Sequence, residues 1–377
     1  MAQDKDLKTP NVPPLRFPGF TDDWVEMTIQ NLATVLGGGT PDTTNKSYWN
    51  GNIQWFTPSE IGKNKYVNTS LRTITEDGLN NSSAKLLPPY TILLSSRATV
   101  GECSLTLQEC ATNQGFQSLI AKNCDTDFLY YLIQTKKKEL IKKSCGSTFL
   151  EISANEVRKI KVAIPTKDEQ LKISHMLSLI DERIATQNKI IDNLQSLIKG
   201  LREAVFKREY LKYVNLGEIA KLYQPQTIST SELEDSGFLV YGANGVIGRY
   251  HSYNHEEPQI CITCRGNTCG QVTLTSPFSW ITGNAMVVNI ENNPGINQSF
   301  LFHFLSFYNY APIISGSGQP QIVRTPLERI KVPNLSLYEQ SQISNILDTI
   351  MQKIDMEQNI FNCFQLQKTY LLNIIFI

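Results

Sequence analysis

Two arginines, Arg97 and Arg265, close two stretches of similar design, "YTILLSSR" (90–97) and "PQICITCR" (258–265). Each continues through Gly101 or Gly270 into a second alternating run, "ECSLTL" or "QVTLTS". Two such runs joined by an Arg- and Gly-bearing loop predict a β-hairpin with the arginine at its turn. A guanidinium there can fork onto a guanine edge or a phosphate, or it can simply serve the geometry of the turn. Just beyond, Asn113 and Gln114 of "ATNQGF" align with Asn284 of "ITGNAM", and side-chain amides are the usual readers of adenine. The run "KKKELIKK" (136–143) sets five lysines against one glutamate, whereas its counterpart ends in Tyr308, Asn309 and Tyr310. Lys136, Lys137 and Lys138 are therefore candidate phosphate contacts, with a solvated helix face as the plain alternative. Arg249 and Asn267 complete the candidate DNA-contacting set.

No catalytic constellation accompanies these residues. "LLPPY" (86–90) resembles the Asn-Pro-Pro-Tyr loop of adenine-N6 methyltransferases, but Leu87 stands at the position that must hydrogen-bond the target amino group. No Gly-rich turn for S-adenosylmethionine precedes it, so a tight turn entering a strand is the better reading. "GANGVIG" (242–248) and "LGGGTP" (36–41) lack the Lys-Ser/Thr of a phosphate loop and the distal acid of a dinucleotide site; they read as loop backbone. Cys261, Cys264 and Cys269, with His251 and His255 upstream, have spacing that could ligate zinc. The repeat argues otherwise, because Leu93 and Ser96 occupy the positions of the first two cysteines. No metal site is expected. Asp42, Glu60 and Lys63 are only a loose approach to a nuclease triad.

The elements that must position the polar loops occur twice. "IKVAIPTKDEQLKIS" (160–174) returns as "IKVPNLSLYEQSQIS" (330–344), seven of fifteen positions matching without a gap at an offset of 170. Behind each Glu-Gln runs a heptad rhythm. The first seam includes Ile173, Leu177, Ile180, Ile184 and Gln187, and continues to Val205; the second includes Ile343, Leu347, Ile350, Ile354 and Glu357, and is weakened by Lys368. Two long helices follow, each with a narrow apolar stripe and each the obvious partner of the other. Gln187 and Glu357 share a rung, where polar seam residues can fix register, or leave a partly solvated gap. The expected architecture is α+β: domains at 1–165 and 211–335, separated by long helices at 166–210 and 336–377. The helices form an antiparallel coiled coil, and the whole is an internal pseudo-twofold repeat.

The chain has 377 residues, 41% of them apolar and 19% charged, enough for two or three domains with their own cores. Lysine plus arginine equals aspartate plus glutamate, 35 each, which argues against a histone-like electrostatic binder but not against a basic face. The polar start "MAQDKDLKTP" carries no signal-peptide core, no apolar run reaches a membrane span, and eight cysteines read as reduced thiols. A cytoplasmic protein without membrane contact is the expectation.

With these features the chain resembles the specificity subunit of Type I restriction–modification systems over essentially its whole length. The resemblance rests on "LRFPGFTDDW" (15–24), the two "IKV…EQ…I" boundaries, the "GSTFLEIS" and "GSGQPQI" segments before them, and the two heptad helices. It implies a non-catalytic reader of double-stranded DNA, each α+β domain taking one half of an asymmetric bipartite site. It also implies that the helices dock two modification subunits, which bind S-adenosylmethionine and methylate adenine. Separate restriction subunits, using ATP and magnesium, translocate and cut, and this chain itself binds no cofactor. Independently, a helix over residues 173–205 spans about 50 Å, against about 34 Å for one turn of B-DNA. The alternatives from other classes are a stand-alone DNA-modifying enzyme with an unrecognised site, or a scaffold that binds only protein.

Overall fold

The computed structural model describes residues 11–146, 150–208, 212–243, 245–316 and 318–377. Residues 1–10, and Ser147 and Ser317 of the paired segments, lie outside the described residues. The chain divides into two compact units: residues 1–187 with 360–377, and residues 188–359. Each unit thus takes part of both long helices, and the division runs through the helices rather than at their ends.

In the first unit a five-stranded sheet has the spatial order Ala33–Gly37, Gln117–Ala121, Ile92–Leu94, Cys103–Thr106, Tyr66–Val67. The side-chain period of two sends Ile92 and Leu94 to one face and Leu93 to the other. The first face packs on the helix Thr126–Thr135 through Phe128, Leu129 and Leu132; the second meets Phe56, Leu87 and Phe116. A smaller sheet, Arg72–Ile74, Trp49–Phe56, Cys110–Thr112, contains one parallel pairing. The second unit repeats the plan. Its four-stranded sheet runs Lys221–Tyr223, Ala285–Asn289, Ile260–Thr263, Val272–Leu274 and packs on the helix Gln298–Phe307. Its three-stranded sheet likewise holds one parallel pairing, Val240 to Trp280.

The expected hairpins are present, with Ile92 opposite Leu105 and Ile260 opposite Leu274. The lysine-rich segment does not continue the helix Thr126–Thr135. The helical path breaks at Lys136, whose N–H closes onto the Ile133 carbonyl, and resumes as Lys137–Lys142, with Leu140 fully buried.

The repeated boundary forms the same joint in both units. "IKVAI" supplies the strand Lys161–Ile164, antiparallel to Val25–Thr28; "IKVP" supplies Lys331–Pro333, antiparallel to Tyr213–Asn215. The long helices Lys167–Phe206 and Leu337–Ile375 follow, of 40 and 39 residues. Buried Gln170 donates to the Pro165 carbonyl at 2.9 Å and accepts from the Asp125 N–H at 2.9 Å. Asp125 in turn caps Thr126–Thr135. Gln340 makes the equivalent bonds to the Leu335 carbonyl and the N–H of Asn297, which caps Gln298–Phe307. A side-chain amide suits the position because a single group must both donate and accept.

The glutamates beside them differ. Glu169 is buried against Arg16 of the "LRFPGF" segment, with two contacts of 2.8 Å, while exposed Glu339 bonds the Ser336 N–H and hydroxyl in a capping box.

Within each unit the long helices run antiparallel. In the first, Asp181 pairs with Lys368 at 2.7 Å and Arg183 lies over the Phe364 ring; in the second, Arg202 donates to Met351 Sδ at 3.6 Å. Ile173, Leu177, Ile180 and Leu347 are buried, and Ile184, Ile343, Ile350 and Ile354 are half-buried. Lys368, a flaw in the apolar stripe by sequence, is an ion-pair partner instead. Gln187 and Glu357 are both buried, and Glu357 lies 2.5 Å from Lys353. Ile375, the last residue of the second helix, and Phe376 just past it lie inside the first core, Phe376 against Trp24 and Phe128. Among the described residues no helix is long and apolar enough to cross a membrane.

Candidate nucleic-acid interface

Both arginine turns are built from the same backbone bonds. In the first unit Gly101 donates to the Ser95 carbonyl, and its φ of +88° suits glycine; a Cβ there would lie 2.7 Å from Lys137 Cγ. Gly270, at φ +92°, donates to the Thr263 carbonyl and would meet the Tyr310 side chain at 2.8 Å. A neighbouring loop is pinned beside each turn. Cys145 and Glu151 exchange backbone bonds, as do Ser315 and Gln321, and Ile152 and Ile322 donate to the Ser96 and Cys264 carbonyls. Arg97 therefore stands across from Glu151, and Arg265 across from Gln321.

That one exchange, acid for amide, changes the electrostatics. Arg97 Nη2 lies 2.8 Å from Glu151 Oε1, each side chain 43% exposed. Arg265 is exposed and forms no ion pair among the described residues.

The amide loop is joined to a second loop that sequence reasoning read as backbone alone. Asn113 Oδ1 accepts from the Gly115 N–H at 2.9 Å, and Thr40 Oγ1 donates to Gln114 Oε1 at 2.5 Å. Gly38 and Gly39 let the loop through: a Cβ on either would approach Asn113 or Ser83 to 2.2 Å. The loop is braced beneath by two indoles, Trp49 donating to the Asp42 carbonyl at 3.0 Å and Trp55 to that of Gly39 at 2.9 Å. Exposed Arg72 stacks its guanidinium 3.6 Å from the Trp49 ring centroid. The only signal for this arrangement was the glycine pair of "LGGGTP".

The second unit's corresponding loop follows Lys221–Tyr223, and there Gln224 Nε2 donates to the Gly283 carbonyl at 2.8 Å. Neighbouring Asn284 is half-buried and its backbone carbonyl accepts from Cys264. Asn267 is exposed beside Gly266. Arg249 is exposed and donates to the Gly237 carbonyl at 2.7 Å.

The three lysines part company. Lys136 donates to the Ile377 carbonyl at 3.0 Å, and Lys137 pairs with Glu102. Lys138 alone of the three is exposed without an ion pair among the described residues.

Burial pushes the Cys261 thiol up to about 12 and that of Cys264 to about 11, and raises that of Cys269. His251 contacts Glu234 at 2.7 Å and His255 contacts Tyr223 and Asn254. These side chains are spent on local contacts, and no cluster able to hold a metal exists among the described residues.

A duplicated α+β scaffold on paired helices, with polar loops that differ between copies, defines a class of internally repeated proteins. Residues 21–196 and 209–362 match the family model described as the Type I restriction modification DNA specificity domain, and the chain belongs to that family. It is 28% identical over 357 residues to the EcoprrI specificity subunit of Escherichia coli, 88% of each chain being covered. It is 37% identical over 180 residues to the MjaIX specificity subunit of Methanocaldococcus jannaschii, spanning 46% of this chain and only 42% of that subunit. The S subunit of the Type-I restriction-modification system from M. genitalium shares the fold at a TM-score of 0.66 and 19% identity, over 97% of this chain and 99% of that one. The family's role is recognition of DNA sequence and not catalysis.

Proposed function

We propose that the chain reads an asymmetric bipartite site in double-stranded DNA, one half-site per unit, and directs partner subunits to it. On this reading two modification subunits carry S-adenosylmethionine and methylate adenine. Restriction subunits supply ATP- and magnesium-dependent translocation and cleavage, and this chain binds no cofactor. The observation that carries the reading is the repetition of one backbone frame with different polar side chains: Arg97 opposite Glu151, Arg265 opposite Gln321. A frame held constant while its exposed groups differ suits two half-sites of different sequence. The seam residues hold the helices together, so partner docking falls to exposed apolar residues on them such as Leu179, Leu197, Ile346 and Leu366.

The test is to map methylated adenines in host DNA when the chain is expressed with its modification subunit. An asymmetric two-part motif with an unread spacer is expected. Arg265→Ala should relax or abolish one half only, a bidentate base contact being worth about 1–3 kcal/mol. Equal loss at both halves would sink the modular reading.

A further inference from the structure

The two amides of this loop in the first unit both have their oxygens occupied. Asn113 Oδ1 is taken by the Gly115 N–H and Gln114 Oε1 by the Thr40 hydroxyl, while neither Nδ2 nor Nε2 has a hydrogen-bond partner among the described residues. The 2.5 Å contact has the length of an O–H···O bond and is short for an amide N–H donor, in keeping with the carbonyl as the end of Gln114 that meets Thr40. The arrangement is stiff, because the loop carrying Thr40 is held by Trp49 and Trp55 and by the close approach at Gly38 and Gly39. Gln114 itself is exposed. What these two amides leave unpaired is therefore their N–H donors.

An amide reads adenine with both ends, its oxygen accepting from N6 while its nitrogen donates to N7; guanine shows acceptors only, N7 and O6. Resting on the DNA-reading function above, we propose that Asn113 and Gln114 are guanine readers, and that Thr40 sets this by holding the Gln114 carbonyl. The second unit is wired the other way. Gln224 gives one N–H to the Gly283 carbonyl, and its Oε1 accepts no hydrogen bond among the described residues, so it retains the acceptor that adenine requires. The two half-sites then differ in edge chemistry as well as in sequence.

The test uses the full chain with its modification subunit and maps methylated adenines. Gln114→Glu replaces the unpaired donor by an acceptor. One guanine of one half-site should give way to cytosine, whose amino group donates, with the other half-site unchanged. Thr40→Val releases the carbonyl, and adenine should join guanine at that same position. A motif unchanged by both substitutions, or one altered at an adenine instead, overturns the proposal. If a variant abolishes methylation, the wild-type complex is measured on duplexes carrying 7-deazaguanine, which lacks only the N7 acceptor. Binding should fall about tenfold at one guanine of that half-site, and insensitivity at every guanine overturns the proposal. A wild-type complex that methylates no defined motif overturns the DNA-reading function beneath it, and is told apart by failing before any variant is made.

Discussion

The two units solve one problem with different side chains. Each must fasten its sheet-bearing portion to the long helices, and each does so through a polar cluster where its short helix meets them. In the first unit Lys65, its side chain only 6% exposed, contacts Asp127 at 2.5 Å, Ser178 at 2.7 Å and the Tyr131 hydroxyl at 3.2 Å. Its ammonium also lies over the rings of Tyr66, Tyr130 and Tyr131. Tyr131 donates on to Asp181, which holds Lys368. In the second unit buried His303 takes the place of Tyr131. Its Nε2 meets Asp348 at 2.9 Å and its Nδ1 meets Arg202 at 2.8 Å. Since arginine can only donate, Nδ1 accepts and the proton sits on Nε2, making this a neutral imidazole between a cation and an anion. The backbone joint made by Gln170 and Gln340 is the invariant part; the bolt through it is free to vary in chemistry.

The sharpest way to break the comparison is to remove one bolt. Lys65→Met keeps the stem over the tyrosines but leaves Asp127 and Ser178 without their cation. Removing one member of a buried pair costs about 3–5 kcal/mol; Asp127 is 37% exposed, which brings the expectation to about 2–3 kcal/mol. Hydrogen exchange should report faster opening across the first unit while the second keeps its protection. Uniform loosening would mean that the two units do not stand on separate bolts, and no change would reduce Lys65 to a solvated ion pair.

Such bolts lie beyond what spacing in a sequence can reveal. The heptads, hairpins and twice-written boundary were legible because each is a local pattern with a fixed period. Lys65, Asp127, Ser178 and Lys368 are brought together from four distant stretches, and nothing near Lys368 marks it as anything but a gap in an apolar stripe. Thr40 and Gln114 are likewise 74 residues apart. The lysine run shows the opposite failure: local charge suggested one role, yet tertiary contacts give Lys136 and Lys137 protein partners and leave only Lys138 unpaired among the three. The repeated Glu-Gln was visible as a repeat, but only the fold separates the conserved clasp of its glutamine from the divergent tasks of its glutamate.

A smaller effect should distinguish the bolts by pH. Burial lowers the pKa of His303 below its ordinary 6.5; Asp348 opposes this through its hydrogen bond, and the charge of Arg202 adds to the lowering. A base whose folded pKa is depressed binds its proton more readily in the unfolded chain. Its contribution to stability is therefore complete above about pH 6.5, the ordinary value for histidine, and is lost as pH falls from there through the folded pKa. Acidification should loosen the second unit more than the first. His303→Gln, which can still accept from Arg202 and donate to Asp348 without titrating, should remove the larger part of the excess, leaving the share of His255 in the same unit, whose pKa burial also lowers. An acid response that persists in full in the variant would assign it to other groups.

The finest difference between the units is the residue facing each turn arginine, and exchanging it tests whether those arginines meet DNA. Glu151→Gln gives the first unit the second unit's pairing, and Gln321→Glu does the reverse. The Arg97–Glu151 pair is 43% exposed on both sides, and pairs of this kind contribute about 0–1 kcal/mol. The fold should therefore be indifferent, and affinity should move by no more than about fivefold. The informative quantity is the salt dependence. An arginine released toward a phosphate steepens the slope of log affinity against log salt by about 0.9, whereas one that forks onto a base changes the preferred base and leaves that slope nearly fixed. Glu151→Gln should strengthen binding in one of these two ways, and Gln321→Glu should weaken it in the same way at the other half-site. If both slope and motif are unmoved by either exchange, the arginines belong to the turns alone, and any difference between the bases met by the two units rests on the amide loops.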